Sequence, residues 1–279
     1  MKLFVTGGTS FIGAYFLKAA LRAGHEISAL RRESSKPVIP VAESSVLRWI
    51  DGSLENVEAG QLSGHDALLH FASYGVSPQP CTWDQAFKVN VTDSIALLER
   101  ALDAGIPRII LCGTCMEYGA SAEKNEAILP TAPLEPIGPY AASKEAISVA
   151  SSALCREKKF QLAILRLFTV YGEGQHPDNF WPSLRRAAVA GADFEMTAGE
   201  QIRDFTPVGQ VAEDFLKALE IPLKAGEPLL RNVGSGHPQQ LRDFARFWWD
   251  KLGATGQLRL GSIPYRPHEI MRYVPVLSE

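Results

Sequence analysis

The sequence predicts an α/β fold, a doubly wound parallel sheet with helices on both faces, followed by a smaller C-terminal α/β lobe. Three observations support this prediction. Short apolar runs alternate with helical stretches through the first half of the 279 residues, as expected for parallel strands joined by helical crossovers. A glycine-rich turn follows the first apolar run. The alternation stops near Gly172, after which proline and glycine are scattered among shorter elements.

The elements of the predicted sheet follow one another in a regular order. The predicted strands contain residues 4–5, 25–30, 46–50, 66–71, 108–111 and 162–168. Helices are predicted over residues 11–23, 83–104 and 140–157. We assign residues 1–172 to the sheet domain, completed by about residues 206–234. Residues 173–205 and 235–279 then form the smaller lobe.

Composition limits the classes of function. With 46% hydrophobic residues, the chain can bury an enzyme-sized core. A net charge of -3 and a pI near 6.1 provide no basic field, so we expect no nucleic-acid partner. No charged leader or membrane-length segment is visible, so we expect no membrane association and a cytoplasmic location. Four cysteines are too few for a disulfide framework.

The turn after the first strand is typical of a Rossmann-type dinucleotide site. Gly7, Ser10 and Gly13 keep the GxxGxxG spacing, with serine in place of the middle glycine. Glycines there permit a tight turn and let backbone N–H groups approach a pyrophosphate at the helix N-terminus. A turn that binds no ligand remains the alternative. The candidate cofactor-binding residues of this turn are Gly7, Thr9, Ser10, Phe11, Ile12 and Gly13.

The end of the second strand bears on which dinucleotide is bound. Arg31 and Arg32 stand where a carboxylate would accept hydrogen bonds from the ribose of NAD, and guanidinium groups instead pair with a 2′-phosphate. NADP(H) is therefore the predicted cofactor. NAD is the alternative, because Glu33 follows and the arginines can also be solvated surface residues. Ser53 and Leu54 are predicted to border the adenine.

A tyrosine and a lysine four residues apart open the predicted helix over residues 140–157. Tyr140 and Lys144 project from one face, roughly 6 Å apart along the axis. A positive charge at that distance can lower the pKa of a phenol by about 3 units, toward the range of an acid-base catalyst. An ordinary pair on a helix surface is the alternative.

Several motifs together are similar to those of the extended short-chain dehydrogenase/reductases that act on nucleotide sugars. They occur in that family's order, and the resemblance spans residues 1 to about 272. The matching segments are residues 6–13, 70–73, 90–91, 114–119, 140–144, 166–172, 201–205 and 232–236.

The resemblance implies roles for individual residues. Thr114 and Tyr140 would hold the reacting C–O group, and Tyr140 would transfer its proton. Lys144 would bind the nicotinamide ribose. Asn90 would help to position the cofactor, which Phe71 and Ala72 would also contact. Two cysteines, Cys112 and Cys115, flank Thr114 with the spacing of a redox pair, yet we expect them to be neighbours of the site without a catalytic role, and we expect no metal.

The residues after Thr114 separate the activities of this family. Related 4,6-dehydratases carry an Asp-Glu pair there, whereas this chain has Cys115 and Met116, and Glu117 is expected to point elsewhere on an extended segment. That leaves epimerases and ketoreductases. Arg31 and Arg32 favour reduction, and residues 113–118 and 264–269 resemble those of reductases of nucleotide-linked 4-keto-6-deoxyhexoses. We therefore predict an NADPH-dependent ketoreductase acting on a nucleotide-diphosphate 4-keto-6-deoxyhexose in deoxysugar biosynthesis. An NAD-dependent nucleotide-sugar 4-epimerase is the first alternative, and a non-catalytic NADP-binding regulator is the second.

Substrate contacts and assembly are also implied by the resemblance. Arg203 and Arg266 match positions used against the diphosphate, although ion pairing within the protein is an alternative for both. Thr114, Cys115 and Thr169 complete the predicted substrate-binding set. Thr169 replaces a frequent asparagine and Gln210 a frequent aspartate. The helices over residues 83–104 and 140–157 resemble those of a four-helix dimer interface, so we expect a homodimer.

Overall fold

A seven-stranded parallel sheet forms the centre of the computed structural model, which describes residues 1–76, 78 and 80–277. Its strands, with those of the smaller sheets, are β1 (Lys2–Thr6), β2 (Glu26–Arg31), β3 (Leu47–Asp51), β4 (Ala67–His70), β5 (Arg108–Thr114), β6 (Gln161–Leu167), β7 (Val170–Tyr171), β8 (Phe194–Met196), β9 (Ile202–Asp204), β10 (Thr206–Pro207), β11 (Leu229–Val233), β12 (Pro238–Gln240), β13 (Leu258–Leu260) and β14 (Arg272–Tyr273). The predicted strands are confirmed, with ends that differ by a few residues.

Helices cover the sheet. They are α1 (Phe11–Arg22), α2 (Ala59–Leu62), α3 (Trp83–Phe87), α4 (Ser94–Asp103), α5 (Gly138–Lys158), α6 (Phe180–Ala190), α7 (Val208–Ala218) and α8 (Leu241–Lys251). The helix predicted over residues 83–104 is one helical run, but Lys88–Asp93 forms a π-helical turn inside it. Such turns are rare and concentrate at functional sites.

The strand order of the main sheet is β11-β6-β5-β4-β1-β2-β3, with all neighbours parallel. The predicted doubly wound, Rossmann-type sheet is therefore confirmed. The order reverses between β1 and β4, and parallel sheets of this kind bind ligands at the carboxyl edge beside such a reversal. The turn after β1 and the loop after β4 lie at that edge.

Two apolar layers fill the space between sheet and helices. One contains Phe16, Leu17, Phe71 and Phe215, so that α1 and α7 pack on one face. The other gathers buried residues of α4 and α5, such as Leu97 and Ile147, on the opposite face. After residue 206 the chain returns to the main sheet, because α7 packs against α1 and β11 pairs with β6.

Shorter elements form the C-terminal lobe. A three-stranded sheet has the order β12-β9-β14, and β13 pairs with β8. A small core of Leu184, Ala188, Met196, Ala245 and Trp249 holds α6 against α8. The exact division into a cofactor domain and a substrate lobe stays a prediction. Within the described residues, no helix combines the length and hydropathy needed to cross a bilayer.

Candidate active site

The glycine turn is built by close backbone contacts. Gly7 has a φ of +70°, and a Cβ at that position would lie 2.5 Å from the Ala72 nitrogen. At Gly13 a Cβ would lie 2.1 Å from the carbonyl oxygen of Gly7. Only glycine fits either position, and the turn brings the predicted residues Gly7, Gly13 and Ala72 together. The atoms nearest to both Cβ positions belong to the backbone, and such a turn fits the pyrophosphate of a dinucleotide.

Ser10 replaces a glycine without strain. Its φ of -75° is ordinary, and its hydroxyl accepts a hydrogen bond from the Gly13 N–H at 3.3 Å as the N-cap of α1. Thr9 and Phe11 are half-buried beside it. Ile12 packs against the core, so only its backbone can face a cofactor.

The arginines at the end of β2 differ in their surroundings. The Arg31 Nε donates to an oxygen of Asp51 at 2.8 Å, and its guanidinium lies over the ring of Trp49 at 5.2 Å. Arg32 is exposed just beyond. Arg31 therefore already has a carboxylate partner, an arrangement that the two adjacent arginines in the sequence do not reveal.

The side chains of two predicted cofactor contacts, Leu54 and Phe71, belong to the core. Leu54 is buried in the apolar layer with Ile50, and Ser53 lies at the start of a short 3₁₀ turn. The ring of Phe71 packs between Phe16 and Phe215. Only the backbone of Phe71 lies at the glycine turn, since its side chain points into the protein.

Asn90 connects three parts of the site. Its buried amide accepts from the Tyr74 N–H at 2.7 Å and from the Ser73 hydroxyl at 3.3 Å. It donates to the Tyr74 carbonyl at 3.0 Å and to the Ser143 hydroxyl at 2.9 Å. The π-helical turn thus holds the loop after β4 and the start of α5 in one arrangement. Asn90 would position a cofactor through Ser73 and Tyr74, because its own amide is fully engaged.

Lys144, in the first turns of α5, donates to the Cys112 carbonyl of β5 at 2.7 Å. Burial raises the pKa of Tyr140, as do the nearby Cys112 and Glu117, while a hydrogen bond with Ser73 opposes the rise. The expectation that Lys144 brings this pKa down is wrong here, because desolvation of the phenol dominates. The phenol is therefore protonated at neutral pH.

Thr114 begins a short 3₁₀ turn at the end of β5. Its hydroxyl accepts from the Met116 N–H at 3.3 Å, and its own N–H donates to a Glu117 oxygen at 2.9 Å. These reciprocal bonds form a capping box. The expected extended segment after Thr114 is thus a turn, which carries the Glu117 carboxylate into the protein.

Glu117 is fully buried at the centre of a polar network. Its second oxygen accepts from Arg166 Nε at 2.7 Å and from the Ser148 hydroxyl at 2.8 Å. Arg166 also donates to the Tyr118 hydroxyl at 3.1 Å, and that hydroxyl donates to Asn232 at 2.6 Å. The network joins β5, α5, β6 and β11 behind Thr114.

The thiols beside Thr114 are poor nucleophiles. Burial raises the pKa of Cys112 to about 11 and that of Cys115 to about 12, and the thiolate is the reactive form. Among the residues that the structure describes, no cluster of three or more His, Cys, Asp or Glu could hold a metal ion.

The predicted substrate residues are only partly assembled. Arg203 is largely buried near Cys115, pairs with Glu269 at 3.2 Å and lies over the ring of Tyr273. Arg266 is exposed on the loop before Glu269. Thr169 is half-buried, and its carbonyl accepts from the Thr206 N–H.

Sequence reasoning gave no role to Ser73, Glu117 or Arg166. The sequence carried one usable signal, because Thr114 and Glu117 have the spacing of a capping box, Thr-x-x-Glu. The partners of Ser73 and Arg166 are distant in the chain, so no local pattern could identify them.

Comparisons with known proteins agree with this geometry. Residues 3–234 match the model of the "NAD dependent epimerase/dehydratase family". The UDP-glucose 4-epimerase of Azospirillum brasilense is 28% identical over 88% of this chain and 76% of its own length. The CDP-abequose synthase of Salmonella muenchen is 26% identical over 97% and 87%, respectively. The solved structure of TunA, an NAD-dependent NDP-hexosamine 5,6-dehydratase involved in tunicamycin biosynthesis, has a TM-score of 0.83 at 27% identity and covers 99% of this chain and 88% of its own.

Proposed function

The chain belongs to the NAD-dependent epimerase/dehydratase family of extended short-chain dehydrogenase/reductase enzymes, and from this membership we propose that it is a ketoreductase. Its substrate would be a nucleotide-diphosphate 4-keto-6-deoxyhexose, and its reductant NADPH. The reaction consumes one NADPH and one proton and converts the ketone to an alcohol, as a step of deoxysugar biosynthesis.

The three residues that follow Thr114 carry this proposal. Eliminating water from a sugar needs a second acid and base in addition to the tyrosine. Cys115 has a pKa raised to about 12 by burial, and Met116 has no titratable group. Glu117 is turned inward and paired with Arg166. Within the family, these residues favour oxidation or reduction of a C–O group over dehydration.

Tyr140 and Thr114 would act on the carbonyl oxygen. A phenol with a raised pKa is protonated at neutral pH, which is the form that donates a proton to a ketone. The Thr114 oxygen accepts from a backbone N–H, so its O–H acts as a donor, and it would turn from the Cys115 sulfur to the same carbonyl oxygen when substrate binds. Two donors aimed at one oxygen stabilise the negative charge that develops there.

The cofactor would lie along the carboxyl edge of the sheet. When bound, the nicotinamide supplies the hydride for the carbonyl carbon. Gly7 and Gly13 leave their backbone free for the pyrophosphate, and Lys144 would hold the nicotinamide ribose. Arg32 supports the choice of NADP(H), whereas the pairing of Arg31 with Asp51 supports it less.

Turnover assays with a Tyr140→Phe variant test the proposal. Purified protein is offered CDP-, GDP- and dTDP-linked 4-keto-6-deoxyhexoses with NADPH, and the loss of NADPH absorbance is followed. We expect stoichiometric oxidation of NADPH, and a loss of kcat of about 100-fold or more in the variant, which lacks the proton donor. NADPH binding, measured by fluorescence, should remain nearly intact. Undiminished turnover by Tyr140→Phe would refute the assignment.

A nucleotide-sugar 4-epimerase is the second candidate. The 28% identity with a UDP-glucose 4-epimerase favours it, as does the carboxylate partner of Arg31, which leaves one free arginine for a 2′-phosphate. An epimerase returns its hydride to the same sugar, so sugar isomers would interconvert with no net change in NAD(P)H absorbance. Cofactor binding without turnover of any offered sugar would instead favour the third candidate, a non-catalytic NADP-binding regulator.

A further inference from the structure

We propose that Glu117 is a positioning residue for the reaction, which orients the Thr114 hydroxyl as a hydrogen-bond donor and places a fixed negative charge near the Tyr140 phenol. The inference rests on the proposed function, because it gives Glu117 a task only if Thr114 and Tyr140 handle a reacting oxygen. It concerns a residue that touches neither cofactor nor substrate.

The carboxylate is held by three donors. One oxygen accepts from the Thr114 N–H at 2.9 Å. The other accepts from Arg166 Nε at 2.7 Å and from Ser148 Oγ at 2.8 Å. Every partner donates, so an ionised carboxylate satisfies the site, whereas the N–H₂ of an amide would face a donor. The site is therefore specific for a negative charge.

Space for this carboxylate comes from a glycine in β5. A Cβ on Gly113 would lie 2.9 Å from a Glu117 oxygen and 3.0 Å from Arg166 Cγ. Gly113 therefore has no room for a side chain, because the ion pair of Glu117 and Arg166 occupies that space. Backbone and carboxylate are packed as one unit directly behind the predicted catalytic threonine.

The capping box fixes which way the Thr114 hydroxyl can act. Because Glu117 holds the Thr114 N–H and the turn supplies the Met116 N–H, the Thr114 oxygen receives a hydrogen bond from the protein. Its proton is then left for a donor role, toward the neighbouring Cys115 sulfur or toward a bound carbonyl oxygen. A carbonyl oxygen that gains negative charge requires such a donor. Glu117 acts on the reaction through this orientation.

The charge of Glu117 also reaches Tyr140. The groups that act on the phenol are Cys112, Cys115 and Glu117 from β5 and the turn after it, and Ser73 from the loop after β4. Lys144, on the helix of Tyr140 itself, donates to the Cys112 carbonyl of β5. Both cysteines are protonated at neutral pH because burial raises their pKa. Glu117 is thus the negative charge that adds to the rise in the phenol's pKa, of which burial is the larger cause.

Two substitutions separate orientation from charge. Glu117→Gln keeps an oxygen that can accept from the Thr114 N–H but removes the charge. We expect its kcat to fall by about 10-fold and the alkaline limb of its kcat–pH profile to move to lower pH, since the phenol loses its proton more readily. Glu117→Asp keeps the charge and is too short to reach Thr114. We expect a similar fall in kcat with an unmoved alkaline limb.

Controls distinguish this role from a structural one. Ser151→Ala removes a buried hydroxyl of α5, which donates to the Ser148 carbonyl. This variant should retain the wild-type kcat and the wild-type kcat–pH profile. Circular dichroism and NADPH titration establish that each variant is folded. If Glu117→Gln is folded with a kcat within twofold of wild type and an unmoved alkaline limb, the inference is wrong.

The remaining outcomes are also decisive. If Glu117→Gln does not fold, Glu117→Asp decides, and a wild-type kcat in that variant overturns the inference. If neither variant folds, Glu117 is a structural residue and the inference is wrong. Activity in Tyr140→Phe, or no turnover of any 4-keto sugar by wild type, refutes the proposed function itself. An inactive Tyr140→Phe beside an unaffected Glu117→Gln refutes only the positioning role.

Discussion

Arg31 and Arg32 are adjacent in the sequence but differ in their freedom to bind a phosphate. Asp51 and the Trp49 ring hold Arg31, whereas Arg32 is exposed. The ion pair between Arg31 and Asp51 is half-exposed and contributes little to stability. A 2′-phosphate can nevertheless bind Arg31 only by displacing the Asp51 carboxylate. The proposed preference for NADP(H) would therefore depend mainly on Arg32.

Replacement of Arg32 tests this dependence. We expect Arg32→Ala to weaken NADPH binding by about 10-fold, the loss of one charged hydrogen bond of about 1.4 kcal/mol, and to leave NADH binding unchanged. Asp51→Asn should strengthen NADPH binding, because it frees Arg31. Fluorescence titration with both cofactors measures this, and Arg48→Ala, exposed on β3, is the control. Equal losses for NADPH and NADH in Arg32→Ala would contradict the prediction.

A buried histidine makes the fold sensitive to acid. His70 lies between the Thr6 hydroxyl at 2.7 Å and the Ser94 hydroxyl at 2.9 Å. Burial lowers its pKa to about 3 from 6.5, with a smaller contribution from Lys144. Below pH 6.5 the unfolded chain takes up a proton that the folded protein does not, so stability is lost as the pH falls from about 6.5 toward 3.

Urea unfolding at pH 7, 6 and 5 measures this sensitivity. We expect His70 to account for a loss of about 2 kcal/mol between pH 7 and pH 5. In His70→Asn the loss over this range should be smaller by that amount, whatever the stability of the variant at pH 7. His237→Asn, at an exposed histidine, should retain the wild-type dependence. An unchanged pH dependence in His70→Asn would show that His70 is not responsible.

At the scale of the element, the glycine turn and α1 depend on one close contact. A Cβ on Gly13 would lie 2.1 Å from the Gly7 carbonyl oxygen, which is backbone and cannot rotate away. Gly209, in α7, has nothing within 4 Å of its Cβ position and no positive φ. The two positions are both helical glycines, so they form a matched pair.

Alanine at the two positions should have opposite effects. We expect Gly13→Ala to lower the free energy of unfolding by roughly 2 kcal/mol or more and to abolish detectable dinucleotide binding, because the strand and α1 must separate. Gly209→Ala should stabilise the protein by up to about 1 kcal/mol through helix propensity. Thermal unfolding and NADPH titration measure both effects. A Gly13→Ala variant that binds NADPH normally would show that the turn tolerates separation.

The elements around the site show where sequence patterns are sufficient. Hydrophobic alternation and the glycine spacing predicted the strands and α1, because these signals are local. The π-helical turn at Lys88–Asp93 was not predicted. The groups that bond its Asn90, the Tyr74 N–H and the Ser143 hydroxyl, lie in other elements. The turn after Thr114 was predicted as extended, although Glu117 had the spacing of a capping residue. The burial of Glu117 depends on Arg166, which is 49 residues away along the chain.

At the scale of the whole molecule, the parallel sheet brings distant motifs to one edge. Asp204 accepts from the backbone N–H groups of Ser235 and Gly236, at 2.6 and 2.8 Å. Two motifs that resemble those of the family, 31 residues apart, therefore meet beside β11. The alternation of strands and helices was sufficient to predict the sheet, but the contacts of Arg203 with Glu269 and Tyr273 arise only from the folded lobe.

The predicted homodimer concerns a surface formed by α3 and α5. Trp83 is 58% exposed and its ring stacks on that of Phe87 at 6.0 Å, while Val149 of α5 is 57% exposed. Large apolar side chains grouped on adjacent helices are typical of a protein interface. Each of these side chains would contribute about 1 to 2 kcal/mol to the free energy of association if an interface covered its exposed area. A second copy of the chain is the partner that the resemblance implies.

Sedimentation at micromolar concentration tests the assembly. We expect wild type to sediment as a species of twice the 30.5 kDa of one chain, and a Trp83→Glu/Val149→Glu double variant to sediment as a monomer, because two buried carboxylates without partners oppose association. Val189→Glu, at a 68% exposed position on α6, is the control and should remain dimeric. A double variant that is folded and still dimeric would place the interface elsewhere, and a monomeric wild type would refute the dimer.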